Sequence, residues 1–315
     1  MPSAIITATG SYLPPKVVPN SDFLKHRFFG SDGKTERALD GVDREDLDYL
    51  IVAHNFGEFT STSRRTEQVP NIASRVKQRL GIENPHTVAY DLPFGCPGWL
   101  LAVIQADAFI RLGEARRALV IGVELISRVV DPHDMDCMIF ADGAGAAVLE
   151  AHEGAAGILA HATRSDTLDH AGLLKMGPSY NPERPADELW VKMDGHKIYK
   201  YAVRTVPLVA RAVLDKAGCT LADVSKVLVH QANEKMDQAI IDRLGSLYGM
   251  ETLPVDIMPM TIAWAGNSSV ATLPTMLDII RRGDLPPHKI ESGDLLLFAS
   301  VGAGMHISCV LYRVP

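Results

Sequence analysis

GCPGWLLAVIQADAFIRLGE at residues 95–114 and GNSSVATLPTMLDIIRRGD at residues 266–284 are two versions of one pattern. Each opens on a glycine and a polar or reactive residue, continues through an apolar stretch and stops at a glycine. Cys96 in the first version stands opposite Asn267 in the second. The two stretches therefore predict equivalent helices in the two halves of the chain.

Two further blocks repeat around this pair. REDLDYLIVAH at 44–54 resembles LADVSKVLVHQ at 221–231, and RRALVIGVE at 116–124 with DGAGAAVLEA at 142–151 resembles GDLLLFASVGAGMHISCVLYR at 293–313. Three matching blocks in the same order indicate a duplicated βαβ-type unit, with its two copies packed about a pseudo-twofold axis. The N-terminal ends of the two equivalent helices are then expected to meet.

Strand-like apolar runs alternate with helical patterns over most of the length, which predicts α/β layers. The duplication favours two halves of one domain, at 1–160 and 161–315, over two independent domains. Residues 161–190 contain many turn formers and predict a connection with short strands.

The composition of the 315-residue chain disfavours several classes of protein. The hydrophobic content of 47% predicts a well-buried core, and the formal net charge of −7 argues against a nucleic-acid partner. No apolar run reaches the roughly 20 residues of a membrane span, and the N-terminus lacks a secretory pattern. The four cysteines form no CxxC pair, which predicts free thiols in a reducing cytoplasm. We expect neither a metal nor a bound cofactor.

Cys96 is the candidate nucleophile. A strand ends near Asp91, Gly95 makes a turn, and Pro97 suits the first position of a helix, so Cys96 is expected to cap that helix. The free N–H groups and the positive dipole end at such a position favour a thiolate, and the cysteine pKa there can fall to about 3.5–7.5. The helix from Trp99 to Leu112 is apolar nearly all round, which predicts that it is buried.

His230 and Asn267 are the candidate partners of this thiol. His230 ends the strand of VLVHQAN and a polar loop follows it, where α/β folds collect their ligands. A strand-end histidine is more often structural, and an asparagine before a helix is more often a cap. The repeat, however, makes Asn267 face Cys96, and a side-chain amide can donate a hydrogen bond to an oxyanion.

Five motifs together resemble the β-ketoacyl-acyl-carrier-protein synthase III group of the thiolase superfamily. They are GCPG around Cys96, HQAN at 230–233, GNSS at 266–269, DGAGAAVLE at 142–150 and VGAGM at 301–305. The resemblance extends from about Asp46 to the C-terminus. It implies a duplicated thiolase-type α/β fold, layered α-β-α-β-α, with two pseudo-symmetric halves built on mixed sheets.

The resemblance also implies a ping-pong reaction. Cys96 would take an acyl group from a thioester; a malonyl thioester would then lose CO₂, and its carbanion would attack the acyl-cysteine to give a 3-oxoacyl thioester. His230 and Asn267 would donate hydrogen bonds to the malonyl thioester carbonyl. Acyl-CoA or acyl-carrier protein would be the substrate, and no cofactor would be needed.

Further site residues and partners follow from the same resemblance. The chain would form a homodimer and would bind an acidic acyl-carrier protein. Backbone N–H groups at Cys96, Gly302, Ala303 and Gly304 would hold the acyl oxygen. The carrier protein would dock on Lys200, Lys235 and Arg243, which are equally typical of ordinary solvated helix charge.

Two departures from the family pattern bear on the acyl donor. The stretch from Ser21 to Asp46 is short, where the family normally has a helix, a tryptophan and arginines near the coenzyme A tunnel. Met135 stands where the better-known members carry an arginine that stacks on the adenine of coenzyme A. These departures make a carrier-bound or unusual acyl donor more plausible.

Two alternative functions remain open at this point. The chain could be an acyltransferase or a non-decarboxylating condensing relative that uses the same cysteine, with Glu58 where some relatives place a base; a loop carboxylate there is more often merely solvated. It could instead be a catalytically silent partner subunit, which the intact Cys96, His230 and Asn267 disfavour. The sequence also leaves open the length of the acyl chain. It does not decide whether the enzyme serves general fatty-acid synthesis or a specialised pathway.

Overall fold

The computed structural model describes residues 2–14, 43–60 and 65–315. Its strands are β1 Ser3–Tyr12, β2 Tyr49–His54, β3 Glu58–Thr60, β4 Arg65–Glu67, β5 Val88–Pro93, β6 Arg117–Glu124, β7 Gly143–His152, β8 Gly157–Ser165, β9 Leu174–Pro178, β10 Leu189–Met193, β11 Lys226–Val229, β12 Leu295–Gly302 and β13 His306–Arg313. Its helices are α1 Ile72–Leu80, α2 Gly98–Arg111, α3 Thr167–His170, α4 Gly195–Lys216, α5 Glu234–Leu247, α6 Ile262–Ala265 and α7 Thr272–Arg281.

Two mixed sheets repeat one another. The first has the order β1-β7-β6-β2-β5 and the second the order β8-β13-β12-β11. In the first sheet β2 and β6 are parallel, and in the second β11 and β12 are parallel. The next two pairings of each sheet are antiparallel. The repeated sequence blocks therefore fold into equivalent strands with equivalent pairing.

The repeat is incomplete at one edge. Within the described residues, the second sheet has no strand that corresponds to β5. The Val227 N–H on β11 instead donates to the Ile257 carbonyl at 2.7 Å. The chain near Ile257 thus runs beside β11, where a fifth strand would lie, without extending the sheet.

The strand β8 bears on where the two halves divide. It spans Gly157–Ser165 and pairs with β13 of the second sheet over most of its length. The expected boundary between residues 160 and 161 falls inside this strand. The stretch 161–190 contains the end of β8 and the short strand β9, in keeping with the predicted connection with short strands. We propose that the halves divide at the turn 153–156, between β7 and β8.

Three clusters of buried side chains define five layers. α2 and α7 pack between the two sheets in the largest cluster. α1 covers the outer face of the first sheet, and α4 with α5 covers the outer face of the second. The resulting order, α-β-α-β-α, confirms the layered α/β fold expected from the motifs.

Side-chain alternation along the central strands produces this layering. Ile51 on β2 faces α2 and α7, whereas its neighbours Leu50 and Val52 face α1. On β12, Leu296 and Phe298 likewise face the middle layer, whereas Leu295 and Leu297 face α4 and α5. Because side chains point alternately to the two faces of a strand, each sheet is apolar on both sides and must be covered twice.

Two expectations concern features outside these layers. The short stretch from Ser21 to Asp46 lies mostly within residues 15–42, outside the described residues. Among the helices that the structure describes, none combines the length and the apolar character needed to cross a bilayer.

Asp237 is a buried acid in the core of the second half. It lies on α5 beside Met236 and Ile240 and is fully buried. Neither carboxylate oxygen has a hydrogen-bond partner among the described residues. Burial raises the pKa of Asp237 to about 8, and the nearby N–H of Ala232 opposes this only in part. The native protein therefore holds this carboxyl group protonated near neutral pH.

Asp237→Asn is expected to stabilise the protein by an amount that grows with pH. Below about pH 4 both the native and the unfolded chain bind the proton. Between about pH 4 and the native pKa of about 8, only the unfolded chain releases the proton. The free energy of unfolding of the wild type therefore falls by up to about 1.4 kcal/mol for each pH unit. Urea unfolding at pH 4, 6 and 8 measures the difference.

Asp242→Asn is the matched control, because Asp242 is an exposed acid on the same helix. It should bring no gain in stability that grows with pH. A benefit of Asp237→Asn that is the same at all three pH values would contradict the burial of a neutral carboxyl group.

Candidate active site

Cys96 and Ser269 bring the two repeated motifs into contact. Cys96 lies between β5 and α2, and Ser269 lies just before α7. The Cys96 Sγ is 3.4 Å from the Ser269 Oγ, although 173 positions separate the two residues. The N-terminal ends of the two equivalent helices therefore meet, as the duplicated pattern predicts.

The helix α2 begins one residue later than the sequence predicts. Pro97 is its N-cap and Gly98 its first residue, and no side chain caps it. Cys96 lies in the preceding turn, where the Gly98 N–H donates to the Gly95 carbonyl at 2.9 Å. The predicted capping role of Cys96 is therefore wrong, because the proline takes that position itself.

Asn267 is fixed through both its main chain and its side chain. Its N–H donates to the Ile139 carbonyl at 2.7 Å, and its carbonyl accepts from the Ala141 N–H at 2.9 Å. Its Oδ1 accepts from the Ser269 N–H at 2.9 Å. Because the amide oxygen is engaged there, the Nδ2 donor end of the side chain is turned away from the start of α7.

The loop 302–304 lies directly against the nucleophile. A Cβ on Gly302 would stand 2.7 Å from the Cys96 N and 3.0 Å from its Cβ. A Cβ on Gly95 would stand 3.1 Å from the Ala303 N. Gly304 has a φ of +76°, which glycine adopts without strain. Glycines on both sides thus allow two backbones to approach beside Cys96.

His230 follows β11 and is buried. Its N–H donates to the Ala299 carbonyl of β12 at 2.9 Å, which ties it to the strand that ends in Gly302. Its ring Nδ1 has no hydrogen-bond partner among the described residues. Burial lowers the pKa of His230 to about 4, so the imidazole is neutral near pH 7.

The rest of the HQAN motif holds the site together. Gln231 is fully buried, and its Oε1 accepts from the N–H groups of Thr261 and Ile262 at 2.7 and 3.1 Å. Asn233 is the N-cap of α5 and accepts from the Met236 N–H. The motif therefore connects the end of β11 to the segment that leads to Asn267, rather than opening as a polar loop.

The prediction of a low pKa for the nucleophile is wrong. Burial raises the pKa of Cys96 to about 11; the Ser269 hydroxyl opposes this rise, and the Glu124 carboxylate adds to it. The sequence pattern shows a helix start but not the burial that makes a thiolate costly. At rest Cys96 is therefore a neutral thiol and His230 a neutral imidazole.

Two polar residues that no sequence motif indicated, Asn55 and Glu124, are linked to Ser269 by hydrogen bonds. Asn55 follows β2, and its Nδ2 donates to the Ser269 Oγ at 2.8 Å. Glu124 ends β6, and its Oε2 accepts from both the main-chain N–H and the Nδ2 of Asn55. Burial raises the pKa of Glu124 to about 7. An acid at the end of the apolar run RRALVIGVE is the sequence signal that could have identified it.

The predicted carrier-binding residues lie on the outer layer of the second half. Lys200 on α4 and Lys235 and Arg243 on α5 are all exposed. The two helices pack against each other and cover the outer face of the second sheet.

Two other residues singled out in the sequence lie elsewhere in the fold. Glu58, the candidate base of the alternative reaction, forms an ion pair with Arg128 across 3.6 Å and is partly buried. Met135 is 79% exposed in a turn before β7. The four cysteines are free thiols.

Known proteins are similar to this chain over almost its whole length. The family described as 3-oxoacyl-[acyl-carrier-protein (ACP)] synthase III matches residues 90–167, and its C-terminal counterpart matches residues 214–314. A β-ketoacyl-[acyl-carrier-protein] synthase III from Rhodobacter capsulatus is 32% identical over 98% of both chains. The chain belongs to the 3-oxoacyl-[acyl-carrier-protein] synthase III family. A family member from Cereibacter sphaeroides is 33% identical over the same shares.

Solved structures of the family have the same fold. The 3-oxoacyl-[acyl-carrier-protein] synthase III from Aquifex aeolicus VF5 superposes with a TM-score of 0.76 at 28% identity, over 99% of this chain and 100% of that one. The enzyme from Pseudomonas aeruginosa PAO1 gives 0.77 at 27% identity, over 99% and 98%. The chain is therefore an acyl-transferring condensing enzyme of the synthase III type, and the alternative reaction is not favoured.

Proposed function

We propose that Cys96 carries the acyl group in a decarboxylative condensation, with His230 and Asn267 as hydrogen-bond donors to the second substrate. The observation that supports this most is the contact between Cys96 and Ser269, whose own N–H orients Asn267. One thiol and one oriented amide from opposite halves of the chain are thereby held at the same place.

In the first half-reaction the Cys96 sulfur attacks the carbonyl carbon of an acyl thioester. The S–C bond to the enzyme forms, the carrier thiol leaves, and the proton of the Cys96 thiol goes to that thiol or to water. Backbone N–H groups of Cys96 and of Gly302, Ala303 and Gly304 would stabilise the oxyanion. The close approach of Gly302 to Cys96 supports this assignment.

In the second half-reaction a malonyl thioester loses CO₂, and the electrons of the broken C–C bond form an enolate. A donor to the thioester oxygen stabilises that charge. The contact of Asn267 with Ser269 uses its Oδ1, so its Nδ2 would be the donor. A neutral His230 can supply one N–H. The enolate carbon then attacks the acyl-cysteine, and the Cys96 sulfur leaves from the 3-oxoacyl thioester.

Substitutions at the three residues should separate the two half-reactions. Cys96→Ala should abolish acylation, because no other group accepts the acyl chain. His230→Ala and Asn267→Ala should still be acylated, while condensation falls about 10²–10³-fold for each lost donor. Intact-mass spectrometry follows acylation, and release of CO₂ with formation of 3-oxoacyl product follows condensation.

Cys219→Ala is the matched control, since this partly buried cysteine lies in the turn after α4. It should leave both half-reactions unchanged. If His230→Ala and Asn267→Ala reduced acylation as much as condensation, the assigned donor roles would be wrong.

We also propose that an acidic acyl-carrier protein docks on Lys200, Lys235 and Arg243. Their shared exposure on the α4–α5 face supports this. The overall charge of −7 repels an acidic partner, so docking needs such a local basic patch.

Reversing one of these charges should weaken the binding of the carrier-bound substrate only. Lys235→Glu should raise the KM for malonyl-carrier protein and leave the KM for malonyl-CoA unchanged, because only the carrier protein contacts the patch. Added salt should reduce the difference. Lys289→Glu, an exposed lysine outside α4 and α5, serves as the control; an equal effect of both variants would contradict the docking site.

We propose a homodimer that pairs at the free edge of the first sheet. β5 ends that sheet, and its Val88 is 48% exposed. An apolar edge strand invites pairing with another chain, and a twofold pair covers both edges at once. Light scattering should give about twice 34.2 kDa; a monomer at micromolar concentration would contradict the pairing.

The cellular location and the acyl donor are also proposals. The free state of all four cysteines supports a reducing cytoplasm. Both acyl-CoA and acyl-carrier protein fit the reaction as donors. The exposure of Met135, where the family carries a stacking arginine, supports a carrier-bound donor.

A further inference from the structure

A chain of polar groups runs from the nucleophile into the first half of the protein. The Cys96 Sγ is 3.4 Å from the Ser269 Oγ, and the Ser269 Oγ is 2.8 Å from the Asn55 Nδ2. The Asn55 Nδ2 and main-chain N–H both donate to the Glu124 Oε2, the latter at 3.2 Å. These groups come from separate segments of the chain and meet only in the folded molecule.

The donor and acceptor roles along this chain have one consistent direction. A carboxylate only accepts, so Asn55 donates to Glu124 with one Nδ2 hydrogen and to Ser269 with the other. The Ser269 Oγ therefore acts as an acceptor toward Asn55. Its single hydroxyl hydrogen is left to point at the Cys96 sulfur.

We propose that Ser269, Asn55 and Glu124 are positioning residues that set the ionisation of Cys96. Glu124 fixes Asn55, Asn55 fixes the Ser269 hydroxyl, and that hydroxyl donates to the sulfur as the thiolate forms. The inference rests on the proposed role of Cys96 for its meaning in catalysis, but the ionisation itself can be measured without a substrate.

The surroundings of Cys96 make such a donor valuable. The sulfur is buried, which makes a thiolate costly, and the His230 imidazole is neutral near pH 7 and carries no positive charge. A hydrogen bond to an ionised group is stronger than one to a neutral group, so Ser269 stabilises the thiolate more than the thiol.

The backbone of Ser269 supports a specific role for its side chain. Its φ is +54°, in the left-handed region where glycine is favoured. Ser269 also donates its N–H to Asn267. A serine kept at a strained position beside the sulfur is typical of a functional site, where local strain is retained.

Glu124 acts on the thiol in two opposite ways. Through Asn55 it orients the donor, but its own charge repels a thiolate and raises the Cys96 pKa. The titratable groups that face Glu124 are His54, which hydrogen-bonds to Asp91, and Asp142, which accepts from Ser127. A glutamine at position 124 keeps an oxygen acceptor for Asn55 and removes the repulsion.

These opposite signs define the experiment. The rate at which iodoacetamide alkylates Cys96 is measured from pH 6 to 11, with peptide mass spectrometry to assign the modified cysteine. At pH 8 Ser269→Ala should slow the reaction about tenfold or more, the equivalent of about one to two pKa units. Asn55→Ala should slow it in the same direction, and Glu124→Gln should accelerate it.

Ser268→Ala is the matched control, because the neighbouring Ser268 hydroxyl pairs with Thr272 and not with the sulfur. Its pH profile should match that of the wild type. If Ser269→Ala unfolds the loop, Ser269→Gly removes the same hydroxyl while suiting the positive φ. Either folded variant that is alkylated at the wild-type rate from pH 6 to 11 overturns the proposal.

Acylation by a thioester donor is assayed on the same proteins. A wild type that alkylates at Cys96 but accepts no acyl group would refute the proposed function and leave the ionisation result intact. Unchanged alkylation profiles in an enzyme that condenses normally would refute only the positioning role.

Discussion

The contact between the starts of two buried helices is the constraint on which the site depends. α2 and α7 form the middle layer, between sheets that are apolar on both faces. Neither helix can shift without disturbing two sheets, since interiors are packed as densely as organic crystals. The packing of the core around both helices therefore fixes the 3.4 Å separation of the Cys96 Sγ and the Ser269 Oγ.

Glycine makes this close arrangement possible. Gly145 on β7 packs so tightly on α7 that a Cβ would stand 2.6 Å from the Thr275 N. Gly122 on β6 would bring a Cβ within 2.5 Å of the Val270 carbonyl. Gly302 allows the same approach to Cys96. At each of these three positions a side chain larger than that of glycine would collide with neighbouring backbone.

The titratable groups of the site are buried, and burial disfavours their charged forms. Burial keeps Cys96 as a thiol and His230 as a neutral imidazole, and it holds Glu124 near its midpoint at neutral pH. Charge that develops during the reaction must then be met by oriented hydrogen-bond donors rather than by fixed positive charges. Such donors are more effective in these surroundings than in water.

Much of this could be predicted from the sequence because the chain contains its fold twice. The repeat aligned Cys96 with Asn267, and equivalent helices made their meeting a geometric consequence. The ionisation of Cys96 could not be predicted, because desolvation depends on side chains from distant segments. The place of Asn55 and Glu124 in the site could not be predicted for the same reason, because no local pattern links them to Ser269.

The most direct test is peptide mapping after the protein is incubated with a panel of acyl thioesters. The account predicts a single acyl adduct on the peptide that contains Cys96. An adduct on Cys137, Cys219 or Cys309 in its place, or a protein that none of the donors acylates, would contradict the claim that the two helix starts assemble a nucleophilic site.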